Sequence, residues 1–240
     1  MGVTILHGNI FTTRCQAIVN TVNCVGIMGA GIALECRLRY PVMHDRYVTL
    51  CDQGLLTPGK LWLYRSPQCW VLNFPTKQHW KHPSRLSYLH QGLEKFVATY
   101  RDKGIRSIAF PLLGADRGGI DPAESLAVMQ EYLDTGLEDL DIEIYRYDPS
   151  AGDDLFEQFK AELKRLTPAE ITAATGIKAR QRDALITALE DPSICQLNQL
   201  IRAPGVGLAT LEKAFRYAAS SQAKLPPTAA SAAPNDLFGQ

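Results

Sequence analysis

The sequence predicts an α/β domain, followed by a small all-helical region and a tail without a core. Three observations carry this. Short apolar runs alternate with helix-length amphipathic stretches from Val3 to about Leu166, the pattern of strands joined through helices. Two glycine-rich segments, Gly26–Gly31 and Leu113–Gly119, each follow an apolar run and precede a helical one. Past Leu166 the strand pattern stops, and from Ser220 onward Ala, Ser and Pro dominate. The boundaries read from these shifts are residues 1–165 for the α/β domain, 166–219 for the helical domain and 220–240 for a disordered tail, which has little to bury.

In order along the chain, Val3–Leu6 is a strand closed by His7-Gly8-Asn9-Ile10, and Ala17–Val19 is a second strand running into the first glycine loop. A helix from Ile32 stops at Tyr40, because Pro41 disfavours helix at the residue before it, and another runs from about Val42 to Cys51. Pro58-Gly59 marks a turn. Lys60–Arg65 and Cys69–Phe74 alternate and are rich in aromatics, which predicts two strands. Asn73–Lys81, NFPTKQHWK, breaks the alternation just past a strand end, where open α/β sheets bind ligands. Ser84 is placed to cap a helix over about Arg85–Lys103. Ser107–Pro111 is a buried strand, Pro122 opens a helix in the first turn where proline is favoured, Ile142–Tyr147 is the last strand, and a helix over about Asp153–Leu166 closes the domain.

Strand, glycine-rich turn, helix is how a backbone cradles phosphate: glycine permits close approach, and the helix start presents unpaired N–H groups with partial positive charge. The first such loop carries Asn20 and Asn23, whose amides bond hydroxyls without bringing charge. A tight turn with no ligand is the plain alternative, and the paired asparagines favour a ligand. Composition excludes other classes. Lysine and arginine number 25 against 25 acids, so no global field advertises nucleic acid or a membrane surface. No run of 18 apolar residues exists, and Met1–Ile5 reads as a strand rather than a signal peptide. The six cysteines, Cys15, Cys24, Cys36, Cys51, Cys69 and Cys195, lack any CxxC pair, so buried thiols in a cytoplasmic protein are expected, without disulfide, metal or cofactor.

GNI at Gly8–Ile10, IVNTVNCVGIMGAGIA at Ile18–Ala33, NFPTKQHW at Asn73–Trp80 and PLLGADRGG at Pro111–Gly119 together resemble a macrodomain, in the branch of the DarG-type DNA ADP-ribosyl glycohydrolases, antitoxins to the DNA-modifying toxin DarT. The resemblance spans about Val3 to Tyr147 and implies a mixed central sheet, an ADP-ribose pocket at the strand ends and a cognate DarT-like partner. It implies ligand contact at Asn9 and Ile10, with the Asn9 amide oxygen standing where many macrodomains use an aspartate that accepts the adenine amino group. It places Asn20 and Asn23 near the distal ribose. Gly29, Ala30 and Gly31, with Gly114, Ala115, Asp116, Gly118 and Gly119, fall on the two loops that wrap the diphosphate. Lys77 falls on the catalytic lysine of this branch. Two roles are open to it: a neutral amine attacking the anomeric carbon, or a cation steadying developing negative charge. Related lysine-dependent hydrolases carry a catalytic aspartate where Gly118 stands, and the acid here is Asp116, where a glycine is usual in the branch. Trp80 and His79 are candidates for touching nucleic acid, by base stacking and phosphate contact, with a core tryptophan and a structural histidine as alternatives.

Leu200–Phe215, LIRAPGVGLATLEKAF, resembles a helix-hairpin-helix, and Ala174–Leu185 reads as a weaker copy with Gly176 and Ile177 matching Gly205 and Val206. Two copies make one compact unit, since a single hairpin buries little. The resemblance implies that turn N–H groups, as at Gly205 and Gly207, bind DNA phosphates without reading sequence; a packing module is the alternative. Three functions follow in order: an enzyme removing ADP-ribose from DNA bases, a reader that binds ADP-ribose without turnover, and a scaffold for DNA or a partner. Asp236-Leu237-Phe238 is a candidate for a short docking peptide.

Overall fold

The computed structural model describes residues 2–134, 136–222 and 236–238. The strands are β1 (Val3–Gly8), β2 (Ala17–Val22), β3 (Leu61–Tyr64), β4 (Trp70–Pro75), β5 (Ser107–Pro111), β6 (Asp141–Tyr147) and β7 (Asp236–Phe238). The α-helices are α1 (Gly31–Arg39), α2 (Pro41–Asp52), α3 (Leu86–Thr99), α4 (Pro122–Leu133), α5 (Asp154–Leu163), α6 (Pro168–Thr175), α7 (Ala179–Leu189) and α8 (Leu208–Gln222). Among the described residues the strands form one mixed sheet in the order β1-β6-β5-β2-β4-β3-β7. The first five are parallel, while β3 and β7 run antiparallel to their neighbours.

The central strands are apolar on both faces, as a sheet covered on both sides requires. Val19, Leu72 and Phe110 face the layer of α3 and α4, against Leu93, Phe96 and Met129. Ile18, Val71 and Ala109, one register step away, face α1 and α2, against Cys36, Met43 and Tyr47. Helix α3 seats directly on β4, since a methyl group on Gly92 would lie 2.1 Å from the Phe74 ring. The helix boundary at Tyr40 falls where Pro41 dictates, with Pro41 opening α2. Asp121 caps α4 by accepting from the N–H groups of Ala123 and Glu124. Ser84 does not cap α3. The cap position is Arg85, which makes no side-chain cap bond.

The described residues divide into two compact units, the first running through Tyr147 and taking in β7, the second beginning at Asp148. The helix expected to close the first unit, α5, belongs instead to the second. Phe159 of α5 meets the Tyr217 ring of α8 edge-on at 6.1 Å, Asp153 accepts from the N–H of Leu197, and Gln196 donates to the carbonyls of Asp148 and Ala151. These long-range partners cannot be read from the local helical pattern. In the second unit, α6 carries a capping box between Thr167 and Glu170 and ends on Gly176 at φ +68°, and α7 follows. A 3₁₀ turn over Leu197–Arg202, rather than the α-helix expected there, precedes the Gly205–Gly207 turn and α8. Ile177 and Val206, the paired turn residues, are both buried.

The expectation of a disordered stretch over 220–240 is corrected at both ends. Helix α8 continues through Gln222, and Asp236–Phe238 pairs with Leu61–Leu63 of β3; residues 223–235 lie outside the described residues. An unpaired edge strand is a template for foreign strands, and β7 covers that of β3. Removing residues 223–240 is therefore expected to expose β3 and produce concentration-dependent self-association, read by sedimentation velocity. A truncated chain that stays monomeric at the highest concentrations reached by the full chain would contradict this.

Candidate active site

The five parallel strands end on one side of the sheet, and the segments that follow β2, β4 and β5 meet there. Backbone bonds draw them together: the N–H of Thr76 donates to the carbonyl of Val22 at 3.0 Å, and that of Cys24 to Gln78 at 3.2 Å. The Cys24 thiol donates to the Lys77 carbonyl at 3.3 Å. Burial pushes that thiol up to about 12, so it stays protonated and serves as a donor rather than a nucleophile.

Asn23 organises the first loop. Its amide oxygen accepts from the N–H groups of Val25 (3.0 Å) and Ile27 (3.3 Å) and from the Tyr47 hydroxyl (3.1 Å), while its NH₂ donates to the Ile27 carbonyl at 2.6 Å. Asn20 is fully buried, level with Asn73 on β4, and donates to the Asn73 amide oxygen at 2.9 Å. Asn73 in turn donates to the Trp62 carbonyl. The Asn20 oxygen has no protein partner. Both asparagines expected at a ribose thus do structural work, and in Asn23 every amide group is engaged. Asn9 caps the 3₁₀ turn Ile10–Thr12: its oxygen accepts from the N–H of Phe11 at 3.1 Å. That bond fixes the amide orientation and leaves the buried NH₂ as the group without a partner. The Asn9 NH₂ is thus a donor on offer, while the oxygen expected from the sequence as an acceptor already takes one bond and keeps a second lone pair. Ile10 beside it is buried.

Loop one then reaches Gly29, Ala30 and Gly31. Ala30 is the cap position of α1, with no side-chain cap bond and no acid in the first turn, so the helix start keeps its partial positive charge and free donors. Gly31, at φ +55°, faces the second loop: a methyl group on it would lie 3.7 Å from the Asp116 carboxylate. In that loop Gly114 and Gly119 also take positive φ. Gly118 is packed so closely that a methyl group there would stand 2.0 Å from the Gly114 carbonyl oxygen. Ala115 lies between them, accepting from the N–H of Gly119 at 3.0 Å.

The Lys77 ammonium donates to the carbonyl of Arg117, joining the third segment to the second loop. Partial burial lowers the Lys77 pKa, and the Asp116 carboxylate opposes that shift. Asp116 and Arg117 form an exposed pair at 3.9 Å, the kind that contributes little to stability. Beyond Lys77 the chain presents a shelf: the His79 ring stacks on Trp80 at 5.8 Å, His82 lies 5.3 Å from His79, and Lys81 stands over the Trp80 ring at 5.2 Å. Trp80 is 49% exposed, so it is not a core residue. Among the described residues no cluster of metal-ligating side chains exists, all six cysteines are free, and no helix is long and apolar enough to cross a membrane.

Missed by sequence reasoning were Asn73, Tyr47, Cys24 and Thr76, which tie the site together. Asn73 had a legible signal, since it interrupts an apolar run as Asn20 does. The others act through partners far along the chain.

Glycine loops over parallel strand ends, an open helix start and one lysine amine mark the site of this α/β domain. Residues 19–129 match the family described as "Macro domain". The "Macrodomain of Thermus aquaticus DarG" superposes with a TM-score of 0.57 at 36% identity, covering 60% of this chain and 97% of that one. A Thermus aquaticus relative named "DNA ADP-ribosyl glycohydrolase" is 38% identical over 169 residues, 68% of this chain and 46% of the relative. A Thermosipho africanus relative named "DNA ADP-ribosyl transferase-DNA ADP-ribosyl glycohydrolase fusion protein" is 32% identical over 162 residues, 60% of this chain and 41% of the relative. The structure "Thermosipho africanus DarTG in complex with ADP-ribose" gives a TM-score of 0.58 at 32% identity, over 61% of this chain and 42% of that one. The chain belongs to the macrodomain family, and these relatives are of the DarG type. It spans about half the length of the curated relatives it matches.

Proposed function

We propose that this chain is an ADP-ribosyl glycohydrolase that removes ADP-ribose from modified DNA bases, as the names of its relatives suggest. The observation that carries the reading is the Lys77 amine, held against the second glycine loop with a lowered pKa. A diphosphate gripped by backbone N–H groups of the two loops brings the distal ribose to that amine. The neutral amine attacks the anomeric carbon as the bond from carbon to base nitrogen breaks, and the newly bonded nitrogen gives up a proton to the released base. Water then displaces the amine, its oxygen bonding the anomeric carbon and one of its protons returning to the lysine nitrogen, which frees ADP-ribose and restores the neutral amine. His79 and Trp80 form a platform on which a neighbouring base stacks, and the Gly205–Gly207 turn offers backbone N–H groups to DNA phosphates. A DarT-like toxin is the proposed partner, and the cytoplasm the proposed compartment.

Incubating the full chain with an ADP-ribosylated oligonucleotide and, in parallel, an ADP-ribosylated protein tests this: free ADP-ribose is expected from the oligonucleotide. The reader function is the second reading, favoured by Gly118 standing in place of a catalytic aspartate. It is selected if ADP-ribose binds and neither substrate turns over.

Amine attack fixes the sign of the pH dependence. A depressed amine pKa means the reactive neutral form appears below pH 10.5, the ordinary lysine value. Activity is expected to rise with pH through that lowered midpoint. Asp116 opposes the shift, so Asp116→Asn is expected to move the rise to lower pH. A rate that falls with pH over this window would assign the work to the charged lysine instead.

A further inference from the structure

Ser84 is only 8% exposed, and its hydroxyl has no hydrogen-bond partner in the protein. Its position is tied to the second glycine loop. Its N–H donates to the Gly118 carbonyl at 2.9 Å. A methyl group on Gly118 would stand 2.5 Å from the Ser84 oxygen, and one on Gly114 would stand 3.2 Å from it. The side chain therefore lies in contact range of two loop glycines, with Ile120 closing on Gly114 beside it. A serine just before a helix is ordinarily explained as a cap, but α3 starts at Leu86 with Arg85 in the cap position and no side-chain cap bond. Buried hydroxyls are normally satisfied, so an unpaired one beneath a ligand-gripping loop points to a bond made in another arrangement of that loop.

We infer that Ser84 is a positioning residue: its hydroxyl takes up a hydrogen bond only when the second loop holds the diphosphate, and so fixes Gly114–Gly118 in the bound arrangement. The inference rests on the ADP-ribose reading given above. The bond is counted in the liganded protein alone, so its removal separates affinity from stability. A cap or a permanently bonded hydroxyl would not do so.

The test uses the full chain and Ser84→Ala, with ADP-ribose as probe, titrated calorimetrically and followed by thermal unfolding with and without ligand. Ser84→Ala is expected to bind about tenfold more weakly, the worth of roughly one hydrogen bond. Its ligand-free melting temperature is expected to be unchanged or raised, and the ligand-induced increase to shrink. With modified substrate the loss is expected in KM rather than kcat. Wild-type affinity in the variant overturns the inference, as does a lowered ligand-free melting temperature with affinity unchanged. If the wild-type chain itself fails to bind ADP-ribose, the functional reading falls first and this inference with it, so the two failures are distinguishable.

Discussion

Lys77→Ala is expected to lose about 10²–10⁴-fold in the release of ADP-ribose from a modified oligonucleotide, the range for removing a group that acts in proton transfer or bond making. Binding of free ADP-ribose is expected to stay within about threefold, since the diphosphate is held by backbone donors. The split follows from geometry. Lys77 reaches the second loop only through its amine, at the Arg117 carbonyl, while its own backbone is anchored separately through Cys24. Truncating the side chain removes the reactive group and leaves that anchor in place. Single-turnover rates and calorimetry on the same preparation check both halves. A variant with wild-type turnover removes Lys77 from the chemistry.

Gly118→Ala is expected to weaken ADP-ribose binding by more than tenfold and to lower stability by about 1–3 kcal/mol, the range for forcing a methyl group into a packed site. The added carbon would meet the Gly114 carbonyl oxygen at 2.0 Å and the Ser84 hydroxyl at 2.5 Å. The Gly114 carbonyl is backbone, so rotamer changes cannot relieve the clash. The loop must shift, and the donors aimed at the diphosphate shift with it. Gly2→Ala is the control: nothing lies within 4 Å of a methyl group there. Equal ADP-ribose affinity in Gly118→Ala and the control would show that this loop does not hold the ligand.

Much of the fold was legible because local chemistry and global packing agree. Pro41 and Pro122 punctuate the helices where the sequence places them, and the apolar runs at Ala17–Val19 and Ser107–Pro111 became central parallel strands. Helix α3 instead ends at Thr99, short of the stop expected at Gly104. Reading failed where a residue answers to a distant partner. Asp153–Leu163 carries a sound helical pattern, but its allegiance to α8 depends on Phe159 meeting Tyr217. Asp236–Phe238 is too short to signal a strand without the β3 edge beside it. In the site, residue types were readable and atom roles were not. Asn9 was expected to offer its oxygen, which also accepts from the N–H of Phe11, and its buried NH₂ is the group left without a partner. Asn23, expected as a ligand contact, also holds its own loop together, a role its residue type does not reveal. An amide has two faces, and only the surrounding backbone decides which one remains on offer.

The most direct measurement is a crystal of the protein soaked with ADP-ribose. The diphosphate is expected between Gly29–Gly31 and Gly114–Gly119, with the anomeric carbon about 3–3.5 Å from the Lys77 amine, the separation from which reaction proceeds. A diphosphate bound elsewhere, or an amine still on the Arg117 carbonyl and out of reach of the sugar, would contradict the account.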